Sequence, residues 1–449
     1  MLSTTDTTPK KSLSELHRRR VRVTLWIGSA LLIVLGLGWG LFFITKQAWA
    51  IVAADAVMLA LGIAIAKLTH RKRTRIAFFL LAGSMLLIIC GISLVLDIPD
   101  AQAPRSTHNF LLVLALASLL FLRDDHAVLR FGVTGVCLLA FVVLASSNVS
   151  LTSAYALPDG MRIWGTWVNN SFSAIGIYSL IHVMVSDLAE HSAMEVDLRR
   201  GLLRGEFFLV YQPQVTSQGV VTGAEALLRW RHPTMGLVPP DDFIPLAEQT
   251  GLILPLGAWV LGTACSQLIA WSSQPDLKHL TLSVNVSVHQ FRQTAFVQQV
   301  KSVIERTGVQ TQLLKLELTE SALVHDIDDL ILKMEQLKGL GLGLSLDDFG
   351  TGYSSLNYLK RLPLDQLKID QSFVRDVLTD PNDAAIARMV IGLGDSLGFA
   401  VIAEGVETHG QRELLMKNGC HLFQGCLFSK PVSEEAFALF VRSSPGSTV

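Results

Sequence analysis

The chain has 449 residues, of which half are hydrophobic and only 17% are Asp, Glu, Lys or Arg. An ordinary soluble protein carries about 25% charged residues, and the mean hydropathy here is +0.43. This composition excludes a disordered chain, a small disulfide-stapled protein and a single soluble domain of ordinary surface. The formal net charge of −1 gives no general attraction to nucleic acid, so no nucleic-acid partner is predicted.

The low charge is concentrated in six apolar runs in the N-terminal part of the chain. A helix that crosses a bilayer needs roughly 20 apolar residues, and all but the fourth run approach that length. The runs are 23–45, 47–66, 76–96, 109–122, 131–149 and 163–186. The sequence therefore predicts a membrane region of six helices, residues 23–186, in contact with lipid.

Basic residues are unevenly distributed among the connections between these runs. Lys and Arg accumulate on the cytoplasmic side of membrane proteins. They precede the first run (Lys10, Lys11, Arg18, Arg19, Arg20, Arg22) and fill the second and fourth connections (Lys67, Arg71, Lys72, Arg73, Arg75, Arg123, Arg130). We therefore expect a basic cytoplasmic segment, residues 1–22, and both termini in the cytoplasm.

Two polar residues inside the runs, Asp55 and His182, are candidates for a role in the membrane. Asp55 is interpreted as a helix–helix hydrogen-bonding group, with proton-linked transport or ligand sensing as the alternatives. His182 is interpreted as a structural or interfacial residue. After the last run, residues 187–205 are predicted to continue it as a helical linker, which either transmits a signal or is a passive tether.

Beyond the linker, short β-branched runs alternate with helix-like stretches, as in a parallel sheet closed into a barrel. The link between the first two runs is too short for a crossover, so an antiparallel first strand is expected. The predicted strands are 207–215, 221–230, 281–287, 313–320, 343–349, 366–370, 400–406 and 421–429. The predicted fold is thus a membrane helix bundle followed by a modified TIM barrel, residues 206–440, and a tail, 441–449.

Polar and acidic residues recur at the ends of these strands, where TIM barrels hold their active sites. They are Glu225, Arg229, Asn285, Glu317, Glu320, Asp347, Asp348, Lys368, Asp370, Glu404, Glu407 and Gln424. Converging carboxylates repel one another unless cations lie between them. Oxygen ligands favour Mg²⁺ or Mn²⁺, and two such ions can clamp a phosphodiester and activate a water.

The motifs in this half are EALLRW from Glu225, YQPQV, SVNVS, ELTES, LDDFGTGYSSL, LKID, VIAEGVET and QGCLFSKP. With them the soluble half, about residues 195–440, resembles the EAL-domain family of cyclic di-GMP phosphodiesterases. The resemblance implies a modified TIM barrel, two Mg²⁺ or Mn²⁺ ions, hydrolysis of cyclic di-GMP to linear pGpG, and a homodimer through this domain. It also implies a location at the bacterial inner membrane.

The resemblance also implies roles for individual residues. Glu225, Asn285, Glu317 and Asp347 would hold the first metal, and Asp347, Asp348 and Glu404 the second. Lys368 would contact the attacking water, and Glu404 is counted with it as catalytic. Glu320 would hold the loop from Asp348 to Leu356, whose Gly350 and Gly352 let it move. The implied substrate contacts are Gln212, Leu228, Arg229, Asp370, Glu407 and Gln424.

Several alternatives stay open. Glu407 and Asp370 could instead form salt bridges at the barrel rim, and Asp348 could order a loop. The family's usual aromatic after Gln-Gly is Cys426 here, which affects substrate packing rather than the metal ligands. The domain could be a silent cyclic di-GMP receptor that signals to a membrane partner. A transporter with a regulatory domain is disfavoured, because the runs lack paired charges.

Overall fold

The computed structural model describes residues 13–99, 104–122, 126–151, 157–324, 327–350 and 356–445. Four residues named above, Lys10, Lys11, Arg123 and Gly352, lie outside these ranges. The chain divides into two compact units, the first ending at Ala193 and the second beginning at Met194.

The first unit consists of apolar helices. They are α1 (Leu13–Thr45), α2 (Trp49–His70), α3 (Thr74–Val95), α4 (Phe110–Phe121), α5 (Ala127–Ser146) and the start of α6 (Asp159–Arg204). All except α4 contain a stretch long and apolar enough to cross a membrane, and α4 forms with a preceding 3₁₀ turn the shorter apolar helix Thr107–Phe121. The six predicted apolar helices are therefore present, and the fourth is short as expected.

The two polar residues singled out in this unit have different surroundings. Asp55 is buried, and its backbone and Cβ lie against Gly36 and Gly40 of α1, where the missing glycine side chains allow close approach. His182 is exposed and stacks on Tyr178 with ring centroids 6.4 Å apart. Asp55 Oδ2 is buried without a hydrogen-bond partner among the described residues, so the helix–helix hydrogen bond expected of Asp55 stays a prediction.

The predicted linker is the C-terminal part of α6, which continues without a break to Arg204. Its last turns pack on the barrel: His232 Nε2 lies 3.3 Å from Asp197 Oδ2, and Gly201 faces the Trp230 indole. Trp230 Nε1 in turn donates to Glu206 Oε2 at 3.0 Å. These contacts hold the end of the helix against the strand that carries Glu225.

The second unit contains nine strands and ten further helices within the described ranges. The strands are β1 (Phe207–Thr216), β2 (Val221–His232), β3 (Gly236–Val238), β4 (Thr281–Val286), β5 (Leu314–Thr319), β6 (Gly343–Phe349), β7 (Gln366–Ile369), β8 (Ala400–Ala403) and β9 (Leu422–Phe423). The helices are α7 (Pro240–Gln249), α8 (Ile253–Ser272), α9 (Val288–Phe291), α10 (Phe296–Thr307), α11 (Ile327–Gly339), α12 (Leu356–Leu359), α13 (Gln371–Arg375), α14 (Pro381–Leu397), α15 (His409–Lys417) and α16 (Glu434–Ser443).

Eight of the nine strands close into a barrel in the order β1-β9-β8-β7-β6-β5-β4-β2, and β2 returns to pair with β1. β1 is antiparallel to both β2 and β9, whereas the pairs from β2–β4 through β8–β9 are parallel. β3 forms a short antiparallel hairpin with β2 outside the barrel. This confirms the predicted modified barrel with an antiparallel first strand, to which the structure adds β3.

Alternation along the strands separates two environments. Leu282, Val284 and Leu316 face the surrounding helices and belong to one large apolar core. The residues between them on the same strands, such as Ser283, Asn285 and Glu317, face the barrel interior. The residues that face the barrel interior are polar on strand after strand, so the polar and charged side chains collect along the barrel axis. The apolar packing between the strands and the surrounding helices stabilises the fold. Helix α8 is apolar enough for a membrane span, but Leu261 to Trp271 pack in this outer core.

Candidate active site

The centre of the site is the side chain of Lys368 on β7, which is fully buried. Its Nζ lies 2.5 Å from Glu317 Oε2 on β5 and 2.5 Å from Glu404 Oε1 after β8. It also lies 3.3 Å from Asp347 Oδ2 on β6 and 3.6 Å from Glu225 Oε2 on β2. Four carboxylates from four strands thus surround one ammonium group.

The Glu225 carboxylate is oriented by two side-chain amides. Asn285 Nδ2 on β4 donates to its Oε1 at 2.5 Å. Gln424, just after β9, donates from Nε2 to its Oε2 at 2.5 Å and to Gln212 Oε1 at 3.1 Å. Gln212 lies directly opposite Glu225 in the β1–β2 ladder. The amides therefore fix this carboxylate independently of Lys368.

Burial dominates the electrostatics of the acidic cluster. It raises the pKa of Glu317 to about 7, an effect that Lys368 opposes and that Glu225 and Asp347 reinforce. Burial likewise raises the pKa of Asp347 and of Glu404, again against the pull of Lys368. For Lys368 itself burial acts to lower the pKa, but the four carboxylates outweigh it and the pKa is raised well above its ordinary value. The lysine therefore stays protonated. One ammonium group cannot neutralise four carboxylates, so negative charge in the cluster remains unbalanced.

Asp348 and Asp370 form a second acidic pair beside this cluster. Burial, the nearby Asp347 and a side-chain hydrogen bond with Asp370 raise the pKa of Asp348 to about 6. Asp348 has a φ of +56°, an uncommon value for a residue with a side chain. Asp370 also caps α13 by accepting from the N–H of Ser372 at 2.9 Å. Asp370 thus combines a helix-capping contact with a contact to Asp348.

Glu320, the residue after β5, is buried and accepts a hydrogen bond from the Gly350 N–H at 3.0 Å. Gly350 has a φ of +102°, which favours glycine. The first turn after β6 is thus attached to Glu320 by this hydrogen bond. Residues 351–355 of that loop lie outside the described ranges.

Four of the predicted substrate contacts do not join the central cluster: Asp370, described above, Leu228, which packs against the apolar core, Arg229 and Glu407. Arg229 is half-buried, and its Nη1 donates to the Leu228 carbonyl at 2.8 Å. Glu407 is exposed, and its N–H donates to Gln411 Oε1 at 2.8 Å as part of the α15 cap. Arg229 thus lies near the end of β2, and Glu407 lies in the loop after β8.

The ligating atoms that the central cluster offers suit a hard divalent cation. Every candidate ligand offers oxygen, and Glu317 Oε1 is buried with no hydrogen-bond partner among the described residues. Oxygen-only sets favour Mg²⁺ or Mn²⁺ over zinc. Across the described ranges, no group of three or more His, Cys, Asp or Glu side chains is already spaced to hold an ion. Because Lys368 lies between the carboxylates, a divalent cation would compete with it for the same oxygens.

One interior residue was absent from the predicted set. Gln214 on β1 is buried, and its Nε2 donates to Gln424 Oε1 at 3.1 Å. A sequence signal for it exists, because Gln212 and Gln214 are two positions apart in YQPQV and side chains two apart share one face of a strand. Its direct neighbour in the β2 ladder is Gly223, two positions before Glu225.

Sequence comparison places this unit among known proteins. The model of the family described as EAL domain matches residues 195–431. The chain is 45% identical over 242 residues to the bifunctional diguanylate cyclase/cyclic di-GMP phosphodiesterase MucR of Pseudomonas aeruginosa. The aligned region covers 53% of this chain and 35% of MucR. The chain is 44% identical over 251 residues to the cyclic di-GMP phosphodiesterase NbdA of the same species, 56% of this chain and 32% of that protein. The chain thus spans about a third of the length of these curated relatives.

Solved structures give the same relationship. The structure of the PaMucR phosphodiesterase in complex with c-di-GMP is similar with a TM-score of 0.53 and 43% identity, over 55% of this chain and 99% of that chain. The EAL enzyme Bd1971, bound to cAMP and cyclic di-GMP, is similar with a TM-score of 0.55 and 31% identity, over 64% of this chain and 80% of that chain. With a family match over more than half of its residues and a barrel whose first strand runs antiparallel, the chain belongs to the EAL domain family.

Proposed function

We propose that the barrel hydrolyses cyclic di-GMP to linear pGpG. The observation that carries this proposal is the ring of four carboxylates around Lys368, built from the ends of four barrel strands in a member of the EAL domain family. The names of the relatives MucR and NbdA, and the c-di-GMP complex of the PaMucR phosphodiesterase, support cyclic di-GMP as the substrate.

The carboxylates would bind two divalent cations, Mg²⁺ or Mn²⁺. One would be held by Glu225, Asn285, Glu317 and Asp347, and the other by Asp347, Asp348 and Glu404. When bound, such a pair supplies Lewis acidity to the phosphodiester and lowers the pKa of the attacking water. The buried Glu317 Oε1, which accepts no hydrogen bond within the described ranges, supports a ligand role for Glu317.

The protein side chains would orient the reactants. Lys368, freed from its carboxylates, would direct its ammonium at the attacking water and at the negative charge that develops on the phosphate. Hydrolysis forms one P–O bond from water and breaks one P–O bond to a ribose oxygen, so the ring opens to pGpG. The residues proposed to contact the dinucleotide are Gln212, Leu228, Arg229, Asp370, Glu407 and Gln424.

Glu320 would keep the loop after β6 in the form that presents Asp348 to the second cation. Its hydrogen bond to the Gly350 N–H supports that role. In the family that the motifs resemble, this loop couples dimerisation to metal occupancy, so a homodimer through the barrel is part of the proposal. Occupancy of the metal site would then depend on dimerisation.

The apolar helices would anchor the enzyme in the bacterial inner membrane, with both termini in the cytoplasm. Regulation through the membrane region is proposed because α6 begins in the apolar unit and ends on the barrel. The contact Asp197–His232 joins the last turns of α6 to β2, the strand of Glu225, and Glu206, which follows the helix, bonds Trp230 of the same strand.

The test is to purify residues 190–449 and to supply cyclic di-GMP with Mg²⁺ or Mn²⁺. The expected product, by chromatography and mass spectrometry, is pGpG. Glu225→Ala should abolish the reaction, whereas Glu335→Ala, a change at an exposed position of α11, should leave it unchanged. Measurable binding of intact substrate without turnover by the wild-type protein would instead identify a cyclic di-GMP receptor.

A further inference from the structure

Three glutamines in the barrel interior form one hydrogen-bonded chain that ends on Glu225. Gln214 Nε2 donates to Gln424 Oε1 at 3.1 Å. Gln424 Nε2 donates to Glu225 Oε2 at 2.5 Å and to Gln212 Oε1 at 3.1 Å. Gln214 is only 2% exposed and Gln424 only 3%, so water is a poor substitute for either partner.

The direction of this chain is fixed by its acidic end. An ionised carboxylate only accepts hydrogen bonds, so Gln424 must turn its NH₂ group toward Glu225. The carbonyl oxygen of the same amide then points the opposite way, where the NH₂ of Gln214 meets it. If Gln214 offered no donor, the buried carbonyl of Gln424 would lose its partner, which is unfavourable in the barrel interior. Reversing the amide of Gln424 would instead press that oxygen against the Glu225 carboxylate.

The backbone places Gln214 where it can act on this amide. β1 lies between β2 and β9 and is antiparallel to both. Its interior face therefore carries Gln212 and Gln214 between the strand of Glu225 and the strand that precedes Gln424. The β1–β2 ladder is regular from Phe207 to Gln214, and its register shifts only after Gln214.

We propose that Gln214 is a positioning residue, which fixes the amide orientation of Gln424 and through it the position of the Glu225 carboxylate. The proposal rests on the proposed function, in which Glu225 holds a divalent cation. Residues that orient a metal ligand from behind usually change metal affinity or activity by about 10–100-fold when they are replaced. We therefore expect replacement of Gln214 to change the Mn²⁺ Kd by a factor of this size, although Gln214 acts on Glu225 only through Gln424.

The experiment uses the full-length chain in detergent micelles, stripped of metal with EDTA and dialysed. Mn²⁺ binding is followed through the electron paramagnetic resonance signal of free Mn²⁺, which requires no turnover. Gln214→Met keeps the side-chain length without a donor, and Gln214→Leu removes the donor with a shorter apolar side chain. Both variants should raise the Mn²⁺ Kd by about 10–100-fold. Gln214→Met should regain most of its turnover at saturating Mn²⁺, with the KM for cyclic di-GMP little changed.

The matched control is Gln267→Met, which also removes a buried glutamine that contacts β1. Gln267 Oε1 accepts from the Tyr211 hydroxyl at 3.0 Å on the outer face of the barrel. Its loss should lower thermal stability but leave the Mn²⁺ Kd within about twofold. A lower melting temperature in Gln214→Met with the same Kd as wild type would overturn the proposal, because a purely structural role predicts that result.

The two proposals fail in different ways. Wild-type protein that binds Mn²⁺ but forms no pGpG would refute the phosphodiesterase function, while the Kd of the Gln214 variants would still decide the positioning role. Should Gln214→Met fold poorly by circular dichroism, Gln214→Leu gives the deciding Kd. A wild-type chain that binds no Mn²⁺ would refute both.

Discussion

Replacement of Lys368 by methionine separates the structural and the catalytic contributions of the buried ammonium. Its Nζ lies within 2.5 Å of two carboxylates and within 3.6 Å of two more. Removing one partner of a buried ion pair destabilises a protein by about 3–5 kcal/mol, because the remaining charge is buried without compensation. In a barrel of this size each kcal/mol shifts the melting temperature by about 2–4 °C, so metal-free Lys368→Met should melt about 6–20 °C lower than wild type.

Divalent cations should reverse most of this loss. The ammonium and a bound cation would share the same oxygens, so Mn²⁺ should bind Lys368→Met at least as tightly as wild type. A ligand at 100 times its Kd adds about 2.7 kcal/mol to the free energy of unfolding. Turnover should nevertheless stay about 10²–10⁴-fold below wild type, the usual contribution of a positioned proton-transfer or charge-stabilising group.

The assay is thermal denaturation of residues 190–449 by circular dichroism, first with EDTA and then with Mn²⁺, together with pGpG formation. Lys338→Met is the matched control, since Lys338 Nζ pairs with Asp365 Oδ1 at 2.6 Å while both side chains are more than a third exposed. Exposed pairs contribute about 0.2–1 kcal/mol, so this variant should melt within a few degrees of wild type. If metal-free Lys368→Met melted at the wild-type temperature, the ammonium would not be what balances the carboxylates.

Burial raises the pKa of the Cys420 thiol to about 12, so between pH 7 and pH 9 it should stay protonated and resist iodoacetamide. The exposed Cys426 should be labelled under the same conditions; site-resolved mass spectrometry checks both, and labelling of Cys420 without denaturant would contradict its burial. A Cβ at Gly201 would lie 2.9 Å from the indole nitrogen of Trp230, so Gly201→Leu should destabilise residues 190–449 by about 1–3 kcal/mol in urea denaturation. Gly339→Ala, where a Cβ meets nothing within 4 Å, should not destabilise them; equal behaviour of the two variants would show that α6 does not pack tightly on the barrel.

The barrel strands could be predicted because their alternation is strong. The runs predicted from 207 to 370 match β1, β2 and β4–β7 to within two residues. The last two were too long: 400–406 ends as a strand at Ala403 and 421–429 contains only Leu422–Phe423. In both cases the sequence motif continues past the strand into the loop that carries the site residues. β3 was missed because three residues show no alternation.

The polar set of the site could also be predicted, because acidic and amide residues recur at successive strand ends. The relative positions and orientations of these side chains could not be predicted from the sequence. The insertion of Lys368 between four carboxylates depends on the stagger of the barrel strands, which no local pattern encodes. The positive φ of Asp348 and the turn of the Gln424 amide toward Glu225 depend likewise on neighbours far away in the chain.

The closure of the barrel has a consequence for biosynthesis. β1 meets its partner β9 through Val215 and Phe423, and Gln214 meets Gln424, about two hundred residues later in the chain. Contacts between such distant segments form late in folding. While the ribosome is still translating the barrel, β1 of the nascent chain is an open sheet edge. Gln424 has not yet been added, so Glu225 lacks this hydrogen-bond donor. A chain that stops before β9 should therefore be inert and prone to edge-to-edge association, and quality-control proteases would find it accessible.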